Sequence, residues 1–125
     1  MPVSPMLAGL RVLVVDDEFL AAYEVERLVY KLDCVVVGPA ASVNGALDLV
    51  ADEPPDLALL DVDLNGTPVT PLVETLKTRK VPYVLITGYS PRDLAALGLA
   101  AAPVVYKPPE EAHLTKAIAQ ALQAN

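Results

Sequence analysis

Two hydrophobic rhythms alternate along the chain, and together they predict its elements. Short apolar runs bounded by turn residues read as buried strands: Arg11–Val15, Cys34–Val37, Leu57–Asp61, Tyr83–Thr87 and Pro103–Tyr106. Between them, apolar residues recur every three or four positions among charged ones, which is the pattern of an amphipathic helix. Ala22, Val25, Val29 and Leu32 form the first such stripe, and Val43, Ala46, Leu47 and Val50 the second. Leu72, Val73 and Leu76 form the third, and Leu114, Ala117, Ile118, Ala121 and Leu122 the last, in a helix starting from Glu110. A short Ala-rich helix is predicted between Ser90 and Gly98.

The punctuation agrees with these elements. Gly38-Pro39 is expected to stop the second strand, and Pro54-Pro55 the second helix. Ser42 is the expected N-cap of the second helix, and Thr70-Pro71 reads as N-cap and N1 of the third. Ser90-Pro91-Arg92-Asp93 has the form of a capping box. Residues 1–9 read as a flexible leader and 10–125 as one domain, with no output domain. Strict alternation of strand and helix predicts an α/β fold, a parallel five-stranded sheet with five helices packed on its two faces.

Composition narrows the function classes. Apolar residues make up 54% of the 125-residue chain, enough for a core, but only 5% is aromatic, so that core is built from Val, Leu and Ala. A net charge of -7 argues against a basic nucleic-acid surface and against docking on anionic lipid. No Lys or Arg precedes Arg11, and no apolar run reaches the ~20 residues of a membrane span. The lone Cys34 cannot form an internal disulfide, which favours a reducing, cytoplasmic setting. It is expected to be a small core residue, and His113 a surface one.

Four of the five strands end in a reactive group: Asp16-Asp17, Asp61, Thr87 and Lys107. Parallel strands bring their carboxyl ends to one edge, and the order 2-1-3-4-5 makes these four strands neighbours around a switch point between strands one and three. Three carboxylates held together repel, and a divalent cation removes that cost. Hard oxygen donors without a His or Cys cluster favour Mg²⁺. Asp61 is then placed to attack phosphorus, Thr87 to donate a hydrogen bond to a phosphoryl oxygen, and Lys107 to pair with another.

These residues resemble the receiver domain of two-component response regulators, over about Leu10 to Leu122. The resemblance rests on Val14-Val15-Asp16-Asp17-Glu18, Leu60-Asp61-Val62-Asp63, Ile86-Thr87-Gly88 and Tyr106-Lys107-Pro108. It implies a flavodoxin-like doubly wound sheet and a phospho-acceptor at Asp61. It also implies Mg²⁺ bound by Asp17 and Asp61 directly, by Asp16 through water and by the Asp63 carbonyl, and a cis Lys107-Pro108 bond. Asn65 and Val69 stand where receivers commonly carry Pro and Gly, and Val104 stands where the switch aromatic is usual. Pro82-Tyr83-Val84-Leu85-Ile86-Thr87-Gly88-Tyr89 is similar instead to the Pro-Phe-x-Phe-Ala-Thr-Gly-Tyr motif of an atypical, often stand-alone receiver subgroup. That likeness implies a switch carried by Tyr89 and a mobile fourth helix. It implies a histidine kinase of the HWE type, or a histidine phosphotransferase, as phosphodonor, and a protein partner on the face from strand four to strand five.

The resulting expectation is a single-domain response regulator that catalyses only its own phosphorylation and dephosphorylation. Two alternatives stand beside it. Asp61-Val62-Asp63-Leu64-Asn65 also resembles the nucleophile motif of haloacid-dehalogenase phosphatases, although in that family the motif sits on the first strand. The other alternative is a docking module of the same shape that works without phosphorylation. Asn65-Gly66-Thr67 matches a glycosylation sequon, but without a secretory signal it reads as a loop beside the acceptor, and Asn65-Gly66 suits a backbone with positive φ.

Overall fold

The computed structural model describes residues 7–124. Its elements are β1 (Arg11–Val15), α1 (Phe19–Lys31), β2 (Val35–Ala40), α2 (Val43–Asp52), β3 (Leu57–Asp61), α3 (Thr70–Thr78), β4 (Tyr83–Thr87), α4 (Pro91–Ala96), β5 (Val104–Tyr106) and α5 (Glu111–Ala124). The strands form one sheet in the order β2-β1-β3-β4-β5, every neighbouring pair parallel. This is the doubly wound fold read from the sequence, with β3 in the middle.

The two-residue period of the strands splits the core into two layers. Leu13, Val15, Ala58, Leu60 and Leu85 pack with residues of α2, α3 and α4 on one face. Val12, Val14, Leu57, Leu59, Val84 and Ile86 pack with residues of α1 and α5 on the other. All five residues of β3 are buried, as expected for a strand covered on both faces. Its last residue is therefore a carboxylate held at the rim of a dry core.

Several caps are as read. The Gly45 N–H donates to Ser42 Oγ at 3.0 Å, and Ser90 and Asp93 exchange both bonds of a capping box. Lys107-Pro108 is cis. Asn65 (φ 56°) and Gly66 (φ 81°) form a tight turn closed by the Thr67 N–H on the Leu64 carbonyl. Cys34 is buried, and its Sγ donates to the Leu7 carbonyl at 3.0 Å. Burial, then the neighbouring Asp33 charge, pushes this thiol's pKa up.

Three expectations need correction. The second strand does not stop at Gly38-Pro39; it runs on to Ala40, whose carbonyl accepts from the Asp16 N–H at 3.0 Å. The pair passes in a bulge: Leu13 faces Val37, but Val15 faces Ala40. A missing donor is tolerated because β2 is an edge strand, and Gly38 takes φ 91°, where a Cβ would lie 2.8 Å from the Ala40 nitrogen. Thr70 is not the N-cap of α3. Val69 holds that position in a helical conformation without a side-chain capping bond, its carbonyl accepting from Leu72 and Val73, and Pro71 lies within the first turn. Finally, the leader expected over residues 1–9 is not loose throughout. Residues 1–6 lie outside the described residues, but Leu7 is buried beside Cys34 and the Gly9 N–H donates to the Asp33 carbonyl at 2.8 Å.

The docking of Leu7 is testable. Leu7→Ala removes a side chain that is 4% exposed, and should cost about 2 kcal/mol in urea unfolding. An unchanged midpoint would return residues 7–9 to the leader.

Candidate functional site

The carboxyl ends of β1, β3, β4 and β5 lie side by side, and the polar residues that end them surround one cleft of about 330 Å³. Asp17, Asp61, Asp63, Thr87, Tyr89 and Lys107 all line it. Asp16, predicted with them, is buried just beneath: its carboxylate lies 3.2 Å from Lys107 Nζ and accepts the Glu18 N–H at 2.9 Å. All seven residues singled out from the sequence thus fall at one sheet edge. Glu18, Asn65 and Gly88 also line the cleft and were not given a role there. Their position directly beside the acid pair, the acceptor loop and Thr87 was the available signal.

Each side chain is held by the element that ends at it. Asp61 closes β3, and its Oδ1 accepts the Asp63 N–H at 3.2 Å, which fixes the carboxylate against the loop. Thr87 closes β4 and is 1% exposed; its Oγ1 accepts the Tyr89 N–H at 3.0 Å, leaving the hydroxyl proton to donate elsewhere. The Lys107 N–H is tied to the Thr87 carbonyl at 3.0 Å, so the base of the lysine is fixed by the adjacent strand. Its ammonium lies 3.5 Å from Asp61 Oδ1 and bridges Asp16 and Asp61.

The electrostatics follow from burial. Asp61 is 6% exposed, and desolvation pushes its pKa from 3.8 up to about 6. The Lys107 charge pulls the other way, Asp16 adds to the rise, and the Asp63 N–H opposes it. Burial disfavours the Lys107 ammonium, yet the charge of Asp61 and the hydrogen bond and charge of Asp16 outweigh it, and its pKa stands above the usual value. One lysine therefore does not fully compensate two buried carboxylates.

That residual negative charge suits a cation. Carboxylate oxygens of Asp16, Asp17 and Asp61 lie within 4.8 Å of one another. The donors are all hard oxygens, with Asp17 half-buried and open to the cleft, as Mg²⁺ requires if it is to keep part of its water shell. The residues present fit that ion.

A carboxyl whose folded pKa exceeds its unfolded value costs stability when ionised. The cost is absent below about pH 4 and complete above about pH 6. In chelator, Asp61→Asn should therefore be more stable than the parent chain at pH 7.5, by at most about 3 kcal/mol, and the difference should vanish near pH 4. Equal stabilities at both pH values in thermal or urea unfolding would contradict the raised pKa.

Comparison with known proteins is consistent with this geometry. Residues 12–119 match the family model of the response regulator receiver domain. The chain is 33% identical over 119 residues to the sensory transduction protein LytT of Bacillus subtilis, covering 93% of this chain and 49% of that protein. It is 32% identical over 114 residues to the phyllosphere-induced regulator PhyR of Methylorubrum extorquens, covering 89% and 43%. Among solved structures, the receiver domain of Erythrobacter litoralis PhyR superposes with a TM-score of 0.83 at 32% identity, covering 94% of this chain and 93% of that one. The chain spans about half the length of the curated relatives it matches. No helix among the described residues is long and apolar enough to cross a membrane. Fold, site and relatives agree: the chain belongs to the response regulator receiver domain family.

Proposed function

We propose that the chain accepts a phosphoryl group on Asp61 from the phosphohistidine of a histidine kinase, of the HWE type, or of a histidine phosphotransferase, and that the transfer changes which protein it binds. The observation that carries this reading is the convergence of Asp61, Thr87 and Lys107 on one cleft above the buried Asp16 carboxylate. The chemistry is phosphoryl transfer for signalling, and the chain acts only on its own phosphorylation state. The cytoplasm is the compartment where such a kinase meets it.

The residues divide the work. An Asp61 carboxylate oxygen forms the new bond to phosphorus as the bond from phosphorus to the histidine nitrogen breaks, and the imidazole leaves to take up a proton. Lys107, already 3.5 Å from Asp61, turns from the carboxylate to a phosphoryl oxygen. Thr87 donates its hydroxyl proton to another, while its oxygen keeps the Tyr89 N–H. Asp16, Asp17, Asp61 and the Asp63 carbonyl would hold Mg²⁺. When bound, that ion would shield the negative charge that gathers as an anionic phosphoryl group meets an anionic nucleophile.

Tyr89 is the proposed switch. Its N–H is bonded to Thr87, and its half-buried ring lines both the acidic cleft and an adjoining groove beside Val69 and Leu97. A Thr87 that moves toward a phosphoryl oxygen pulls on the start of the loop into α4. The face from β4 to β5 is the proposed partner surface, with Tyr106 47% exposed on it.

Incubation with a small phosphodonor and Mg²⁺ should give one base-labile phosphoryl label per chain, absent in Asp61→Asn. Continuous turnover of a phosphoester would point instead to a phosphatase, and no label from any donor or kinase to a docking module. Tyr89→Ala should keep the label but lose most of the chemical-shift change that phosphorylation causes along β4 and β5. An unchanged response would remove Tyr89 from the switch.

A further inference from the structure

Three of the chain's six aromatic residues lie outside the core on a single helix. Phe19, Tyr23 and Tyr30 of α1 are 83%, 51% and 60% exposed, in a protein whose aromatic content is only 5%. The spacing of Phe19, Tyr23, Glu26 and Tyr30 is four, three and four, which is the a–d repeat of a helix seam. The inner stripe of α1, Ala22, Val25 and Val29, continued by Leu32 just past its end, is buried, and Val25, Val29 and Leu32 pack with the sheet. The helix therefore carries a second seam, on its solvent side.

The sequence of that seam is self-complementary. Tyr23-Glu24-Val25-Glu26 is followed by Arg27-Leu28-Val29-Tyr30. Turned about the point between Glu26 and Arg27, the segment lays Tyr23 on Tyr30 and Glu26 on Arg27, while Val25 and Leu28 stay turned toward the core. A two-fold axis at this point gives each of these pairs twice, as an isologous contact requires. The charges of α1 also cancel, with Glu24 and Glu26 against Arg27 and Lys31, while the chain as a whole carries -7. It is thus a face on which a second acidic copy is not repelled. Arg27 and Glu24 lie 3.7 Å apart on an exposed surface, and a pair of that kind is weak and readily exchanged.

We propose that the outer seam of α1 pairs antiparallel with the same seam of a second copy. One helix pair buries less than the roughly 1,200 Å² of a standard interface, so the dimer is weak, with a Kd of roughly tens to hundreds of micromolar. Tyr on Tyr supplies most of the contact area, and Glu26 on Arg27 sets the register.

Sedimentation velocity on the full chain from about 10 μM to 1 mM tests this. The parent chain should shift from monomer to dimer across that range. Arg27→Glu should raise Kd at least tenfold by placing Glu26 opposite a second acid, with an unchanged circular dichroism spectrum. The double variant Glu26→Arg, Arg27→Glu should return Kd to within about threefold of the parent, because the exchanged charges pair again across the axis. A monomer at all concentrations would overturn the proposal and leave the stripe to a different protein. Dimers that ignore Arg27→Glu, or that the double variant does not restore, would overturn the register.

Discussion

The structure turns on the burial of two carboxylates, Asp16 and Asp61, at the carboxyl edge of the central strands, with a single ammonium between them. Neither acid would be retained there for stability. Removing a carboxylate from water is costly, one lysine offsets only part of that cost, and the shortfall appears as the raised pKa of Asp61. The sheet tolerates the arrangement because β3 is anchored on both faces by fully buried Leu57, Ala58, Leu59 and Leu60. A rim cost of a few kcal/mol is small against such a core. The same imbalance supports the proposed function: a cation would complete the charge, and a phosphoryl group would then offer Lys107 and Thr87 new partners.

Topology converts this local chemistry into a site. Sequence neighbours such as Asp61 and Asp63 share a loop, but Asp16 and Lys107 are separated by 91 positions and meet only because β1 and β5 end at the same edge. The order β2-β1-β3-β4-β5 leaves β2 outside this group, and its end carries no reactive side chain. The strands that carry the candidate site are the four contiguous ones. Thr87 ties two of the groups to one another, since its carbonyl accepts from Lys107 and its hydroxyl from Tyr89. In the proposed mechanism, a change at phosphorus would reach both β5 and the approach to α4 through this single residue.

Most of this was legible in the sequence, for physical reasons. Strands buried on both faces must be written as continuous apolar runs, so an acid or lysine at the end of such a run marks the edge of the sheet. Leu57–Asp61 and Tyr83–Thr87 carry that signal with little ambiguity. What escaped detection depends on tertiary context. Gly38-Pro39 reads as a terminator, yet an edge strand can bulge around it and resume at Ala40. Leu7 lies in a short apolar stretch, Met6-Leu7-Ala8, without periodicity, and only the packing around Cys34 shows that it is core. The outer stripe of α1 shares its helix with a stronger inner one, so the aromatic residues gained meaning only once their exposure was known.

The central claim, that burial leaves Asp61 incompletely compensated and ready for a cation, is tested most directly by titrating its carboxyl carbon by NMR, with Asp61→Asn to assign the signal. In chelator the midpoint should lie near pH 6, and saturating Mg²⁺ should lower it by more than about one unit. A midpoint near 4 that is the same with and without Mg²⁺ would contradict the account.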